Sequence, residues 1–239
     1  GWGLANFSKI FSSKFYLQAI QYSLEISFWS SVFGLFIAIL GAYSLRQVDS
    51  KLRDFVSAFA NMTSNFAGVP LAFAFIATLG RLGLVTVLLR DLFGINLMAS
   101  GFNLISFTGL TLAYLYFQIP LMVLIITPAL DGLRKDWREA AESLGATGWQ
   151  YWRMVALPVL GPSLIGTFAL LFANAFGAVA TAMALTGSSL SILPIILFAQ
   201  IRGDVLQDPH LGYAIAFAMI VLTGLSNLIY ILLRTRAER

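Results

Sequence analysis

The stretch DWREAAESLGATGWQYWRMVALP, Asp136 to Pro158, is a charged insert between long apolar segments. Charges at this density belong in water, so the segments on either side are what enter a different solvent. Asp136 reads as an N-cap, and Glu139 three residues later gives a capping-box-like start, with Asp in place of Ser or Thr. Ala140, Ala141 and Leu144 fall on one helical face and Glu142 lies off it. The expected product is a short helix with a small, smooth apolar strip and with Arg138 and Glu139 at its rim. Gly145 is expected to end that helix in the left-handed conformation. A second short segment, Gly148–Leu157, carries Trp149, Tyr151 and Trp152, which suit a membrane–water boundary. Pro158 is expected to break the chain before the next apolar segment. Taken one residue at a time, the insert also reads as a plain amphipathic loop with interfacial aromatics.

The surrounding composition says which solvent the flanks need. Of 239 residues, 59% are hydrophobic and 11% are charged, where a soluble domain carries about 25% charged residues. That apolar surplus is too large for one soluble core, and a bilayer is its ordinary solvent. With no Cys, the chain can form neither a disulfide framework nor a thiolate metal site. A single His, His210, cannot build a His-rich cluster, so no metal site is expected.

Crossing roughly 30 Å of hydrocarbon takes about 20 helical residues at 1.5 Å each. Leu17–Leu45, Phe55–Leu79 and Leu104–Leu130 meet that length, closed respectively by Arg46, by Gly80 and Arg81, and by Asp131 and Gly132. Leu160–Leu185 and Leu211–Leu233 meet it as well. Ile192–Ile201 is too short to span and reads as an interfacial or re-entrant helix. The expectation is an all-α polytopic membrane bundle, one domain over residues 1–239, with five spans. The chain starts at Gly1 rather than Met, and its first residues lack a signal-peptide pattern. A further N-terminal piece ahead of Gly1 is therefore expected. Pro70, Pro120 and Pro128 should bend the second and third spans. Gly34, Ala38 and Gly41, and likewise Gly177 and Ala178, should let helices approach closely.

Positive charge orients the bundle. Alternating five spans puts Arg46, Lys51, Arg53, Arg134, Lys135, Arg138, Arg153, Arg234, Arg236 and Arg239 on one side. Lys9, Lys14, Arg81, Arg90 and Arg202 fall on the other. Ten against five makes the first side cytoplasmic, and the charged insert lies on it.

Glu139-Ala140-Ala141, then Gly145 after three residues, then Val155-Ala156-Leu157-Pro158 after nine more, form a pattern with a family likeness. It resembles the EAA loop in permease subunits of binding-protein-dependent ABC importers, with Val155 where that pattern has Ile. The likeness runs from about Ser23 to Arg236. Ser23–Arg46 resembles the family's second span, and the loop sits between what would be the fourth and fifth. The tail GDVLQDPHLGYAIAFAMIVL resembles the subgroup near polyamine, ferric-ion and phosphonate-type importers.

This resemblance implies an ABC importer permease fold of six spans, with a cytoplasmic coupling loop at about 131–158. Glu139, Ala140, Ala141, Leu144, Gly145 and Pro158 would couple to a separate ATPase. No Gly-x-x-x-x-Gly-Lys-[Ser/Thr] loop is present, so this chain binds no cofactor and ATP with Mg belongs to a partner. The implied partners are a pair of cytoplasmic ATP-binding subunits, a second permease that is homologous or identical, and an extracytoplasmic solute-binding protein. Lipid surrounds them, and nucleic acid is not a partner. The implied place is a bacterial cytoplasmic (inner) membrane. A spermidine- or putrescine-like polyamine is the first solute expected, with ferric ion, phosphonate, thiamine and opine-like solutes behind it.

Polar side chains within spans are costly and mark candidate path residues. Glu25 either faces the solute path, pairs with an Arg such as Arg81, or reaches the outer interface. Asn174 either contacts solute or bonds across helices. Asn61, Asn65 and Gln118 fit cap, bend or helix-contact roles. Asp204 and Asp208 lie with Arg202 and His210 in an outer loop, where they are solvated, touch a binding protein, or collect cationic solute near the entrance.

An enzyme is the first rival reading, and no Gly-x-Ser-x-Gly, His-Glu-x-x-His or central Asp pair supports it. A secondary transporter or channel without an ATPase is the second. It calls for internal repeats, broken helices or an ionisable relay, none of which is clear in the sequence.

Overall fold

The computed structural model describes residues 5–187, 189–202 and 208–237. Among them the chain is helical and has no strand. Five segments are long and apolar enough to cross a membrane: Lys14–Leu45, Val69–Phe93, Phe107–Asp131, Gly148–Phe176 and Pro209–Leu232. A short helix α1 (Ala5–Ser12) precedes α2 (Lys14–Leu45) and packs on it. After Arg46 come α3 (Ser50–Asn65), α4 (Val69–Leu79) and α5 (Leu84–Phe93). Next are α6 (Phe107–Asp131), the insert helices α7 (Lys135–Ser143) and α8 (Gly148–Tyr151), and α9 (Leu157–Phe176). The chain finishes with α10 (Val179–Thr186), α11 (Leu193–Arg202) and α12 (Pro209–Ala237).

The centre of the bundle is α2 against α6 and α9. Apart from Ile26, the buried face of α2 is made of small residues at helical spacing: Ala19, Ser23, Ser27, Ser30, Ser31, Gly34, Ala38 and Ala42. Its large side chains Phe28, Trp29, Phe33, Phe36, Ile37 and Leu40 point outward. This inversion of the soluble pattern is what hydrocarbon solvent selects, because close backbone approach replaces hydrophobic exclusion as the packing force. Gln118 of α6 is fully buried at this contact. Its Nε2 donates to Ser30 Oγ at 2.8 Å, and its Oε1 accepts from Ser31 Oγ at 3.4 Å. Interhelical bonds in membranes are worth about 0.6 kcal/mol each. Orphaning the amide would cost about 1–3 kcal/mol, so the network fixes register more than it adds stability.

Two expected windows are placed differently. Phe55–Leu79 is broken at residues 66–68, where Gly68 has φ +77° and begins α4. The membrane-length segment there is Val69–Phe93, itself turned at residues 80–83 between α4 and α5. Pro70 therefore sits in the first turn of α4, where its missing N–H is no loss, and does not bend a span. Pro120 and Pro128 do lie inside a continuous helix, α6. The window Leu160–Leu185 is also shifted, since the helix starts at Gly148 and breaks at Gly177 and Ala178 before α10. Hydropathy registers neither break, because Phe66, Ala67, Gly177 and Ala178 are as apolar as their neighbours.

The two breaks face each other across the α4–α10 contact. Gly68 N–H donates to Thr181 Oγ1 at 2.8 Å, and Tyr114 O–H donates to the Ala178 carbonyl at 2.9 Å. Backbone groups freed by the breaks are thus satisfied inside protein, as irregular backbone at membrane depth requires. Broken helices are not legible in the sequence, and the described residues include these two besides the turn at residues 80–83. The short segment expected at Ile192–Ile201 is α11, and Ser23 Oγ accepts from the Leu193 N–H that opens it, at 2.8 Å.

Candidate functional site

The charged insert folds as a helix, a sharp turn and a second helix. Helix α7 starts two residues earlier than the capping pattern suggests, with Arg134 at the N-cap position. Asp136 does not cap it. Its carboxylate is taken by Arg134 at 2.6 Å, and it lies inside the first turn, where a negative charge suits the helix dipole. Glu142 accepts from Arg138 one turn away at 2.9 Å. That hydrogen bond and the Glu142 charge, helped by Tyr43, hold the Arg138 pKa above its ordinary value.

The end of α7 is a Schellman motif. Ala146 N–H donates to the Ala141 carbonyl at 3.0 Å and Gly145 N–H to the Glu142 carbonyl at 2.9 Å. Gly145 has φ +79°, the left-handed conformation that side chains resist. Two residues later Thr147 opens α8 with a full capping box. Its N–H donates to Gln150 Oε1 at 2.7 Å, and its Oγ1 accepts from Gln150 N–H at 3.3 Å. The Thr147-x-x-Gln150 spacing is itself a capping-box signal in the sequence, which the Asp136–Glu139 reading passes over.

Pro158 does not break the chain. The helix runs from Gly148 to Phe176 through a π turn at Trp152–Ala156, with Leu157 N–H donating to the Trp152 carbonyl. That wider turn makes room for the Pro158 ring and absorbs its missing donor. The aromatic residues divide as well. Trp149 is exposed, but Tyr151 is buried and Trp152 packs edge-on against Tyr43 of α2 at 5.5 Å. Two of the three therefore anchor the insert to protein and do not mark a lipid boundary.

The apolar strip expected on α7 splits between two faces. Ala141 and Trp137 turn inward and pack on a core that includes Leu130, Leu133 and Tyr151. Ala140 and Glu139 are exposed. Leu144 projects from the tip with 89% of its surface exposed. It is an aliphatic side chain on a charged segment, next to the left-handed Gly145 turn. A groove of about 510 Å³ beside it is lined by Arg46, Arg134, Lys135, Arg138, Glu139 and Glu142, with Tyr43 and Trp152.

The candidate path residues are not brought together. Asn174 lines an open groove of about 380 Å³ at the two helix breaks, with Ser64, Ala67, Gly68, Phe117 and Gly177. Among the described residues its amide makes no hydrogen bond, so the cross-helix bonding role has no support. Glu25 does not line that groove; it accepts from Gln21 on its own helix at 2.7 Å and makes no ion pair with Arg81. Asn65 bonds back to the Asn61 carbonyl at 2.8 Å, a local helix-end role. Asp208 pairs with Lys9 at 3.6 Å, and its Oδ1 accepts from Leu211 N–H, while Asp204 lies outside the described residues. A larger cavity of about 630 Å³ between α6, α9 and α12 touches neither Asn174 nor Glu25.

Comparison with known proteins fits this geometry. Residues 30–239 match the family described as binding-protein-dependent transport system inner membrane component. A probable sulfate transport system permease protein of Chlorella vulgaris is 28% identical over 90% of this chain and 77% of its own. A molybdenum transport system permease protein of Escherichia coli is 28% identical over 67% of each chain. A spermidine/putrescine transport system permease protein of Escherichia coli is 24% identical over 91% of this chain and 74% of its own. Among solved structures, a bacterial ABC transporter importing alginate superposes with a TM-score of 0.72 at 17% identity, covering 100% of this chain and 84% of that one. The MetNI methionine ABC transporter gives 0.61 at 20% identity, covering 92% and 94%. The fold, the EAA-type insert and the family match agree, and this chain belongs to the inner membrane components of binding-protein-dependent transport systems, the permease subunits of ABC importers.

Proposed function

We propose that this subunit takes its drive from a separate ATPase through α7 and the Gly145 turn, and lines part of the solute path at the Asn174 groove. The observation that carries the reading is Leu144: a bare apolar side chain at the tip of a segment rigidified on both sides, on the face rich in Lys and Arg. ATP and Mg would be held by the ATPase, and this chain would do no chemistry of its own. A second permease, homologous or identical, would complete the path, and an extracytoplasmic binding protein would deliver solute. The setting is a bacterial cytoplasmic membrane. ATP-driven closure of the ATPase pair would move α7, switch the spans from inward-open to outward-open, and reset on hydrolysis.

For the solute, the tail sequence favours a spermidine- or putrescine-like polyamine, in line with one group of relatives. A small oxyanion is the second reading. The groove residues are uncharged and include no carboxylate to attract a polycation, and other relatives are named for sulfate and molybdate transport. Uptake by the complete importer in proteoliposomes, with labelled spermidine, sulfate and molybdate in turn, separates the two. Uptake that proceeds without any ATPase would support the channel or secondary-transporter alternative and sink the coupling reading.

A further inference from the structure

A charge cluster lies at the root of the insert, where the coupling role leaves it unused. Asp131 is the last residue of α6, and a carboxylate at a helix C-terminus opposes the helix dipole. Helix stability therefore gives no reason for it. Two guanidinium groups compensate: Arg53 from the first turn of α3 donates to Asp131 Oδ2, and Arg46, at the end of α2, reaches Oδ1 at 3.7 Å. Arg46 also donates to the Leu133 carbonyl at 3.2 Å, inside the three-residue turn that leads into α7. Partly exposed pairs of this kind add little net stability. Their effect is geometric, because they fix three helix ends and the turn to one carboxylate.

The reach of α3 gives that geometry a consequence. From Arg53 it runs as one rod to Asn65, and its far end supplies Ser64, with Ala67 and Gly68 just beyond, to the Asn174 groove. We infer that Asp131 is a positioning residue that makes α3 follow α7, so that displacement of the insert is carried to the groove. This inference rests on the coupling role of α7 proposed above. α3 also packs on α6, so without the Asp131–Arg53 arm α7 would still dock and move, and α3 would follow it less closely.

The test uses the complete importer in proteoliposomes, comparing binding-protein-stimulated hydrolysis, solute uptake and co-purification of the ATPase. Asp131→Asn and Arg53→Gln are each expected to lower uptake per ATP about fivefold or more, the lower bound of a typical coupling between sites. Co-purification should be unchanged. Asp131→Glu should recover most of the uptake, and the double variant should be no worse than either single one, since both cut the same link. Wild-type uptake per ATP in Asp131→Asn and Arg53→Gln would overturn the inference. So would loss of co-purification in both, which would make the cluster a folding element. Leu144→Asp, run alongside, separates this from failure of the coupling reading. If it too leaves stimulation intact, α7 is not the coupling element.

Discussion

Replacing Leu144 by Ala tests the docking surface at a side chain that the isolated subunit leaves almost bare. Leu144 is 89% exposed, so nearly all of its apolar area is available to a partner. Burying a Leu side chain is worth about 1.5–3 kcal/mol. Losing about 2 kcal/mol of that weakens binding about 30-fold. Folding should hardly notice, because an exposed substitution away from caps and core changes stability by less than about 0.5 kcal/mol. Leu144→Met keeps volume and flexibility and should stay close to the parent. The assay is titration of the purified ATPase onto permease in nanodiscs, with thermal stability of the permease measured in parallel. A dissociation constant for Leu144→Ala within about twofold of wild type, where a buried Leu requires far more, would refute the reasoning.

Other outcomes follow from the same geometry. Gly145→Val forces a β-branched residue to φ +79°, costs about 1–3 kcal/mol of local strain, and should lower stimulated hydrolysis while the spans still insert. Thr147→Ala removes the Oγ1 acceptor of the capping box and should cost about 1 kcal/mol, read as a lower melting temperature of the purified subunit. Asn174→Leu should reduce uptake with assembly and stimulated hydrolysis of the docked complex preserved, as checked by transport and co-purification from one preparation. In this Cys-free chain, Asp208→Cys should react with a membrane-impermeant maleimide in intact cells, and Arg134→Cys should not.

How much of this was legible in the sequence depends on what each signal measures. Hydropathy reports transfer into hydrocarbon, so it found the three spans whose ends carry Arg46, Asp131 and the last basic cluster. It was blind to the breaks at residues 66–68 and at Gly177 and Ala178, since a chain can turn at membrane depth without a polar residue when Thr181 or Tyr114 takes up the freed groups. The left-handed Gly145 is legible from its place after a helical run. The capping box was assigned to Asp136, although Thr147 and Gln150 form it, because Arg134 competes for the Asp136 carboxylate. Pro158 misled for a related reason: a π turn, which leaves no residue signature, lets the helix run through it. Spacing alone puts Ala141 with Leu144, and only its packing against the core that holds Leu130, Leu133 and Tyr151 reveals that Ala141 faces inward.

The central claim is that the tip of α7 is covered by a separate ATPase. The direct measurement is the maleimide labelling rate of a Leu144→Cys variant in inside-out vesicles, with and without the ATPase. Rapid labelling of the bare permease and strong protection once the ATPase is bound are expected, with a Trp149→Asp control to show that docking is not driven by the aromatic side of the insert. Equal labelling with and without a bound ATPase would contradict the claim.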